Sequence, residues 1–359
     1  MNVTPDALPL PGPAGLFEFL LHFTFTLHLL AMNFLVGGSV IALVSRLRGA
    51  MDMARWIEHK LPATMAITVT LGVAPLLFVQ TIYGNLFYTS SVLMAWPWFS
   101  VIILLLFVYS FLYRVAWRGD DAPATAKILM VLVNLGLLTV AFLYVNNMTL
   151  ALRPDTWAAK YLARPGGTSL NVDDPTFWPR YLHFMIAALA VTGMVLATIG
   201  ARRIRKGDEG GRSWLQIGAF WFVVPTALQI ATGLWWLITL PKPVMTPLMG
   251  GDTTATMIFM ISITLPIFAL VMMAMSIKLD RPFGIVHGAS WLLILTIIGM
   301  VLTRQYVREG MLADHFDTAS LEVAPQWGVF WIFAVLLLIA IATVVWMVRE
   351  MARSGSDAN

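Results

Sequence analysis

Three of the six histidines lie inside apolar stretches of membrane length: His22 and His28 in the first, His183 in the fifth. An ionisable side chain in hydrocarbon is costly, so one that occurs there marks a functional site by default. No Asp or Glu occupies mid-depth in any of these stretches. Proton-coupled transport relies on buried acids, whereas haem b is held without covalent attachment by axial His or His/Met ligands on facing helices. Buried His and Met without buried acids therefore point to haem ligation.

The elements that position these residues follow from composition. Of 359 residues, 59% are hydrophobic and 12% are charged, roughly half the charge of a soluble globule. There is no Cys, which excludes disulfides, thiolate metal sites, Cys-ligated iron–sulfur clusters and thioether-linked haem. Met1 to Gly15 carries no basic region ahead of its apolar stretch and does not read as a cleaved signal peptide. Apolar runs recur at roughly 16–45, 62–88, 96–113, 128–150, 178–201, 214–240, 254–277, 285–304 and 327–348. In lipid, the backbone of such a run must satisfy its own hydrogen bonds, so each predicts a helix.

The connections alternate in charge. Those after spans one, three, five and seven, with the tail after span nine, hold 16 of the 23 Lys and Arg. The other side holds Arg153, Lys160, Arg164, Arg180, Lys242, Arg304 and Arg308. Acidic residues divide almost evenly, as expected when Lys and Arg set the topology. The N-terminus is expected outside and the C-terminus inside. The basic clusters mark cytoplasmic loops beside lipid, so nucleic acid is excluded as a partner. Two outer loops, 151–177 and 305–326, are long, and Trp96, Trp98, Trp178, Trp235, Trp236 and Trp327 near outer ends form an aromatic belt.

Depth follows from this orientation. His22, Gln80, Asn146, Asn147, His183, Met257, Met260, Arg304 and Gln305 share a level near the outer surface, and His28 lies deeper. Met257 and Met260 are about one helical turn apart on one face. His22 and His28, six residues apart, face different directions and cannot both ligate one iron. An isolated His can instead hydrogen-bond across helices, most Met serve packing, and an Arg at a helix end often snorkels. His59, His287 and His315 are expected to face solvent or an interface.

Short segments along the whole chain resemble subunit I of cytochrome bd ubiquinol oxidase, a family with nine spans and an outside N-terminus. His22-Phe23 with Phe25 and Met32 is similar to its first span, and Leu71-Gly72-Val73-Ala74 with Gln80 and Gly84-Asn85 to its second. His183 with Val191-Thr192-Gly193 resembles its fifth, and Arg304-Gln305 the pair closing its eighth. The resemblance implies that His22 and His183 are haem ligands. The partner of His183 on a low-spin haem b would be Met260 or Met257. His28 has no counterpart in the pattern. The chain departs from it at Gln80 and Val301, where the family places glutamates. It also lacks acids in Trp96-Pro97-Trp98-Phe99-Ser100, and its loop between spans six and seven is short, about Pro241–Thr253. A high-spin haem needs a ligand and an open position, and proton delivery needs titratable groups. The oxygen-reducing site is therefore expected to be missing.

The expectation is an all-α integral membrane protein with two four-helix-bundle-like groups and one peripheral helix. The shared tripeptide Leu21-His22-Phe23 and Leu182-His183-Phe184 hints at such a pseudo-repeat or arises by chance. The expected function is a haem b subunit in a bacterial inner membrane, passing electrons between quinol and an outer-side partner. His183 with Met260 holds one haem, His22 serves a second, and His28 a third or a neighbouring contact. Arg304 and Gln305 are cofactor contacts, and Lys242 a quinone-side contact. The partner would be a second membrane subunit or a c-type cytochrome. A divergent quinol:oxygen oxidase and a haem-free transporter or assembly protein are the alternatives.

Overall fold

The computed structural model describes residues 9–119 and 121–353. Twelve α-helices account for nearly all of it. They are α1 (Ala14–Leu47), α2 (Met51–Ile82), α3 (Gly84–Leu93), α4 (Ala95–Arg118), α5 (Pro123–Ala151), α6 (Trp157–Ala163), α7 (Phe177–Arg205), α8 (Gly211–Thr239), α9 (Lys242–Met245), α10 (Thr253–Ser276), α11 (Phe283–Leu312) and α12 (Trp327–Arg353). Among the described residues, nine are long and apolar enough to cross a membrane. All nine fall on the spans expected from hydropathy.

The spans form two groups of four. In the first, α1 packs on α2 and α5, and α4 packs on α2 and α5; in the second, α7 packs on α8 and α11, and α10 on α8 and α11. The groups meet mainly where α1 packs on α7. At that crossing a Cβ on Gly37 would collide with the Ala188 carbonyl. Small residues also line the α7–α8 seam, where Gly193, Gly200 and Gly218 each face backbone of the opposite helix without room for a methyl. Lipid tails supply no hydrophobic drive between helices, so such close backbone contact holds membrane bundles together. The ninth span, α12, stands apart, and no residue of its apolar window is buried. It touches α2 through Phe333 on Phe78 (ring centroids 5.3 Å apart) and Lys60 Nζ, which donates to the Met351 carbonyl at 2.7 Å.

Two boundaries differ from expectation. The second helix starts at Met51, not near 62, and ends at Ile82, with α3 following as a separate piece. Arg55, Glu58 and Lys60 depress the local hydropathy, yet Glu58 is buried, which pulls this turn into the helix. Arg46 Nε donates to Glu58 Oε1 at 2.8 Å and Nη2 to Oε2 at 2.5 Å, with side-chain exposures of 1% and 2%. This bidentate pair clasps the α1–α2 turn. Removing one partner of a buried pair strands the other charge. Glu58→Ala is expected to destabilise the folded protein by about 3–5 kcal/mol. A thermal melt in detergent checks this, and the double variant Arg46→Met/Glu58→Met should recover most of the loss.

The second difference is at α11, which runs to Leu312 and takes residues 305–312 out of the expected outer loop. Gln305 and Arg308 are buried, so these polar residues continue the helix instead of ending it. The loop after α5 folds down onto the bundle. Ser169 N–H donates to the Leu93 carbonyl at 2.9 Å, and Asn171 N–H to Asn146 Oδ1 at 2.8 Å. Asn147 Nδ2 donates to Ser91 Oγ at 3.0 Å. Asn146 and Asn147 thus have structural partners. Arg153 bridges Asp155 and Asp174 in the same loop, and its hydrogen bond holds the Asp155 carboxyl below the usual carboxylate range. The short connection after α8 is compact, with Val244 and Leu248 buried and Asp252 capping α10 through Ala255 N–H at 2.7 Å.

Candidate functional site

Each four-helix group encloses an apolar cavity toward the end of the bundle where α1 begins. The first lies among α7, α8, α10 and α11 and is closed by α1; the second lies among α1, α2, α5 and α7, with α4 contributing Leu105. The space open to the centre of a water molecule is about 180 Å³ in the first and about 310 Å³ in the second. A single water needs roughly 10–15 Å³ by that measure, so both are sized for an organic group. Among the described residues, no Asp or Glu lines either cavity.

One imidazole faces each. His183 lines the first, on the helix face it shares with Arg180, Phe184 and Ala187. Gln229 Nε2 donates to His183 Nε2 at 3.2 Å, and His183 Nδ1–H points to Thr232 Oγ1 at 3.4 Å. Gly233 lies under the ring, where a Cβ would come within 3.3 Å of Cε1. His28 lines the second cavity. Its Nδ1–H donates to the Thr68 carbonyl at 3.0 Å, and its Nε2 makes no hydrogen bond. The ring lies over Gly72, where a Cβ would sit 2.9 Å from Cε1. A hydrogen bond from one ring nitrogen to a backbone carbonyl fixes the tautomer and leaves the other nitrogen's lone pair free, as metal-ligating histidines require.

His22 is placed differently. It lines neither cavity. Its Nε2–H donates to Gln305 Oε1 at 3.2 Å, which also accepts from Arg308 Nη1 at 2.8 Å. Gln305 Nε2 donates to Glu309 Oε1 at 2.9 Å and to Tyr83 OH at 3.2 Å. His22, expected to serve a haem, lies outside both cavities, and in the first group the inward imidazole is His28. The shared Leu-His-Phe tripeptide does not mark equivalent sites. Gln305 likewise belongs to this polar network, away from both cavities.

Met257 and Met260, the expected partners of His183, line neither cavity. They are 54% and 43% exposed on α10, which turns Phe259, Ile263 and Pro266 to the cavity instead. With 3.6 residues per turn, the face carrying Phe259, Ile263 and Pro266 leaves both methionines on the outer flank. The methionine that lines the first cavity beside His183 is Met300 on α11. Val301, where the resemblance places a glutamate, lines it too. Lys242 is exposed and lines no cavity, and His59 is exposed. His287 stacks on Phe283 and accepts from Trp291 Nε1 at 3.2 Å.

Arg304 lines both cavities, its guanidinium carbon 4.6 Å from the Phe25 ring centroid. Arg180 lines both as well. Residue type alone does not single it out, although an Arg one turn before a span's histidine shares that histidine's face. Arg180 Nε and Nη2 are buried without a partner, as are Asn33 Oδ1, Thr226 Oγ1 and Trp236 Nε1, all on the first cavity. Buried polar atoms are nearly always satisfied, so a row of orphans along one apolar cavity fits a bound group with polar ends. An amphiphile with a flat apolar body and carboxylates, such as haem b, matches that lining.

No family model and no curated protein matches this sequence. The fold matches a solved chain of bd oxidase from Geobacillus thermodenitrificans with a TM-score of 0.76. The match covers 97% of this chain and 100% of that one, at 14% sequence identity. The chain is thus a multi-pass membrane protein, all-helical and with nine candidate spans among the described residues. Its particular architecture is the bd-oxidase fold.

Proposed function

We propose that this chain is a haem b subunit of a bd-oxidase-like complex that passes electrons from quinol to an acceptor on the outer side, without reducing oxygen. The observation that carries this reading is the pair of apolar cavities, each facing one imidazole and both ending on the same two arginines. His183 would hold the iron of one haem and His28 the iron of the other. Thr232 and the Thr68 carbonyl orient the rings through Nδ1–H, so Nε2 is the ligating atom in each. The Gln229 amide, bonded to His183 Nε2, would have to give up that bond for the nitrogen to hold metal. Met300 is the one sulfur among the residues lining the first cavity and would be the candidate second ligand there. Haem b, when bound, supplies one-electron storage tuned by ligand, burial and nearby charge.

The protein's own residues do the rest. The apolar walls exclude water, and the arginines hold carboxylates. Oxidation of one quinol to quinone releases two electrons and two protons, the protons toward the outer face. The electrons leave to a partner of the redox class, a second membrane subunit or a c-type cytochrome. The absence of carboxylates from both cavity linings supports the omission of oxygen chemistry, because proton delivery to bound oxygen needs titratable groups. The positive charge of the connections supports a bacterial cytoplasmic membrane with the cavities at the outer side.

The test is a reduced-minus-oxidised optical spectrum of the purified chain with a pyridine haemochrome assay. Two haems b per chain are expected, and the His183 haem, with a sulfur available as a second donor, should respond little to carbon monoxide. Protein that purifies intact without a haem band would overturn the reading. Oxygen consumption by the purified chain on addition of quinol would replace it with a divergent quinol:oxygen oxidase.

A further inference from the structure

The two cavities are not independent. Phe25, Leu29 and Phe184 line both, as do Arg180 and Arg304. The wall between the cavities is therefore one side chain thick, and the same two cations close its end. A third, smaller cavity continues from that junction and is lined by Arg180, Arg304 and Arg308. Among the described residues, none of these three arginines forms an ion pair with a carboxylate. Arg153 is the residue that takes the nearby Asp174. Arg180 and Arg304 rest against aromatic faces instead, with guanidinium carbons 5.7 Å from Trp236 and 4.6 Å from Phe25. Arg308 stands 4.8 Å from Tyr83 and bonds Gln305. Charges in a low-dielectric interior need counter-ions, and among the described residues no carboxylate is in salt-bridge contact with Arg180 or Arg304, Asp174 being held by Arg153.

We propose that Arg180 and Arg304 form one carboxylate clamp shared by both cavities, so that a single pair of guanidiniums binds the propionates of both haems and raises both reduction potentials. This rests on the two-haem reading above and adds to it. A cation held beside both groups favours the extra electron on each. Because the cations are shared, removing either one lowers both midpoints. Electrons come from an external donor one at a time, and no bond is made or broken. Arg308 reaches only the smaller cavity and lies outside the clamp.

Redox potentiometry of the purified holoprotein, followed by the haem absorbance bands, tests the proposal. Arg180→Gln and Arg304→Gln should each lower both midpoints, since removing a positive charge favours the oxidised iron. Arg180→Lys and Arg304→Lys, which keep the charge, should restore both most of the way. Arg308→Gln should move either midpoint far less. A shift confined to one haem per arginine, or no shift in either, overturns the shared clamp while leaving the two-haem reading intact. Wild-type protein without haem would instead sink the underlying reading. If Arg180→Gln does not fold, the two Arg304 variants are sufficient on their own, because Arg304 lines both cavities.

Discussion

Replacing His28 with alanine is expected to halve the haem content, from two haems b per chain to one. His183→Ala should remove the other haem, and the double variant should leave none. His22→Ala should keep both. The contrast follows from ring geometry. His28 presents a free Nε2 to the larger cavity with its Nδ1–H committed to the Thr68 carbonyl. His22 touches neither cavity. Pyridine haemochrome ratios on the purified variants measure the outcome. Loss of haem in His22→Ala together with retention in His28→Ala would reverse the assignment and return the second site to the position that the family resemblance favours.

Gly218→Val is the substitution expected to damage the fold most. A Cβ at Gly218 would strike the backbone of Ala197, and one at the facing Gly193 would strike the backbone between Trp221 and Phe222. Neither side of this seam has a flexible side chain that could yield, so α7 and α8 would have to separate along their length. The cost should be on the order of 4 kcal/mol, among the largest single-site effects, against roughly 1–3 kcal/mol for Gly218→Ala, where a smaller shift accommodates one methyl. Yield of monodisperse protein and the melting temperature in detergent report this. The first cavity is bounded by the same two helices, so haem retained by His183 should fall in parallel. A valine variant that melts with the wild type would show that the seam is not tightly closed.

Much of the fold is legible in the sequence because the bilayer imposes so strong a constraint. Long apolar runs have one solution, and the alternation of Lys and Arg fixes their count. The differences fall where polar residues are buried. Glu58 is hidden against Arg46 and Arg308 against Tyr83, so hydropathy ends both helices at the wrong residue. The site is legible in part. Depth singles out His28, and that criterion is physical, since a histidine with no solvation must have a partner; His183 shares the outer level of His22 and is marked by the family resemblance. Depth cannot tell which side of a helix faces a cavity. The rotation of α10 follows from its packing on α8 and α11, and it turns Met257 and Met260 outward while bringing forward Phe259 and Ile263. Arg180 reads in the sequence as one more outer basic residue. Only the three-dimensional arrangement shows that its guanidinium lies buried where two cavities meet, with the nearby Asp174 held by Arg153.

The isolation of α12 has a consequence for biogenesis. No residue beyond Leu312 lines any of the three cavities, so the interior that encloses them is complete once the eighth span has entered the bilayer. Porphyrin capture can then run during synthesis, while the ribosome is still making the last hydrophobic stretch. Its late arrival against Phe78 and Lys60 would seal an already loaded core.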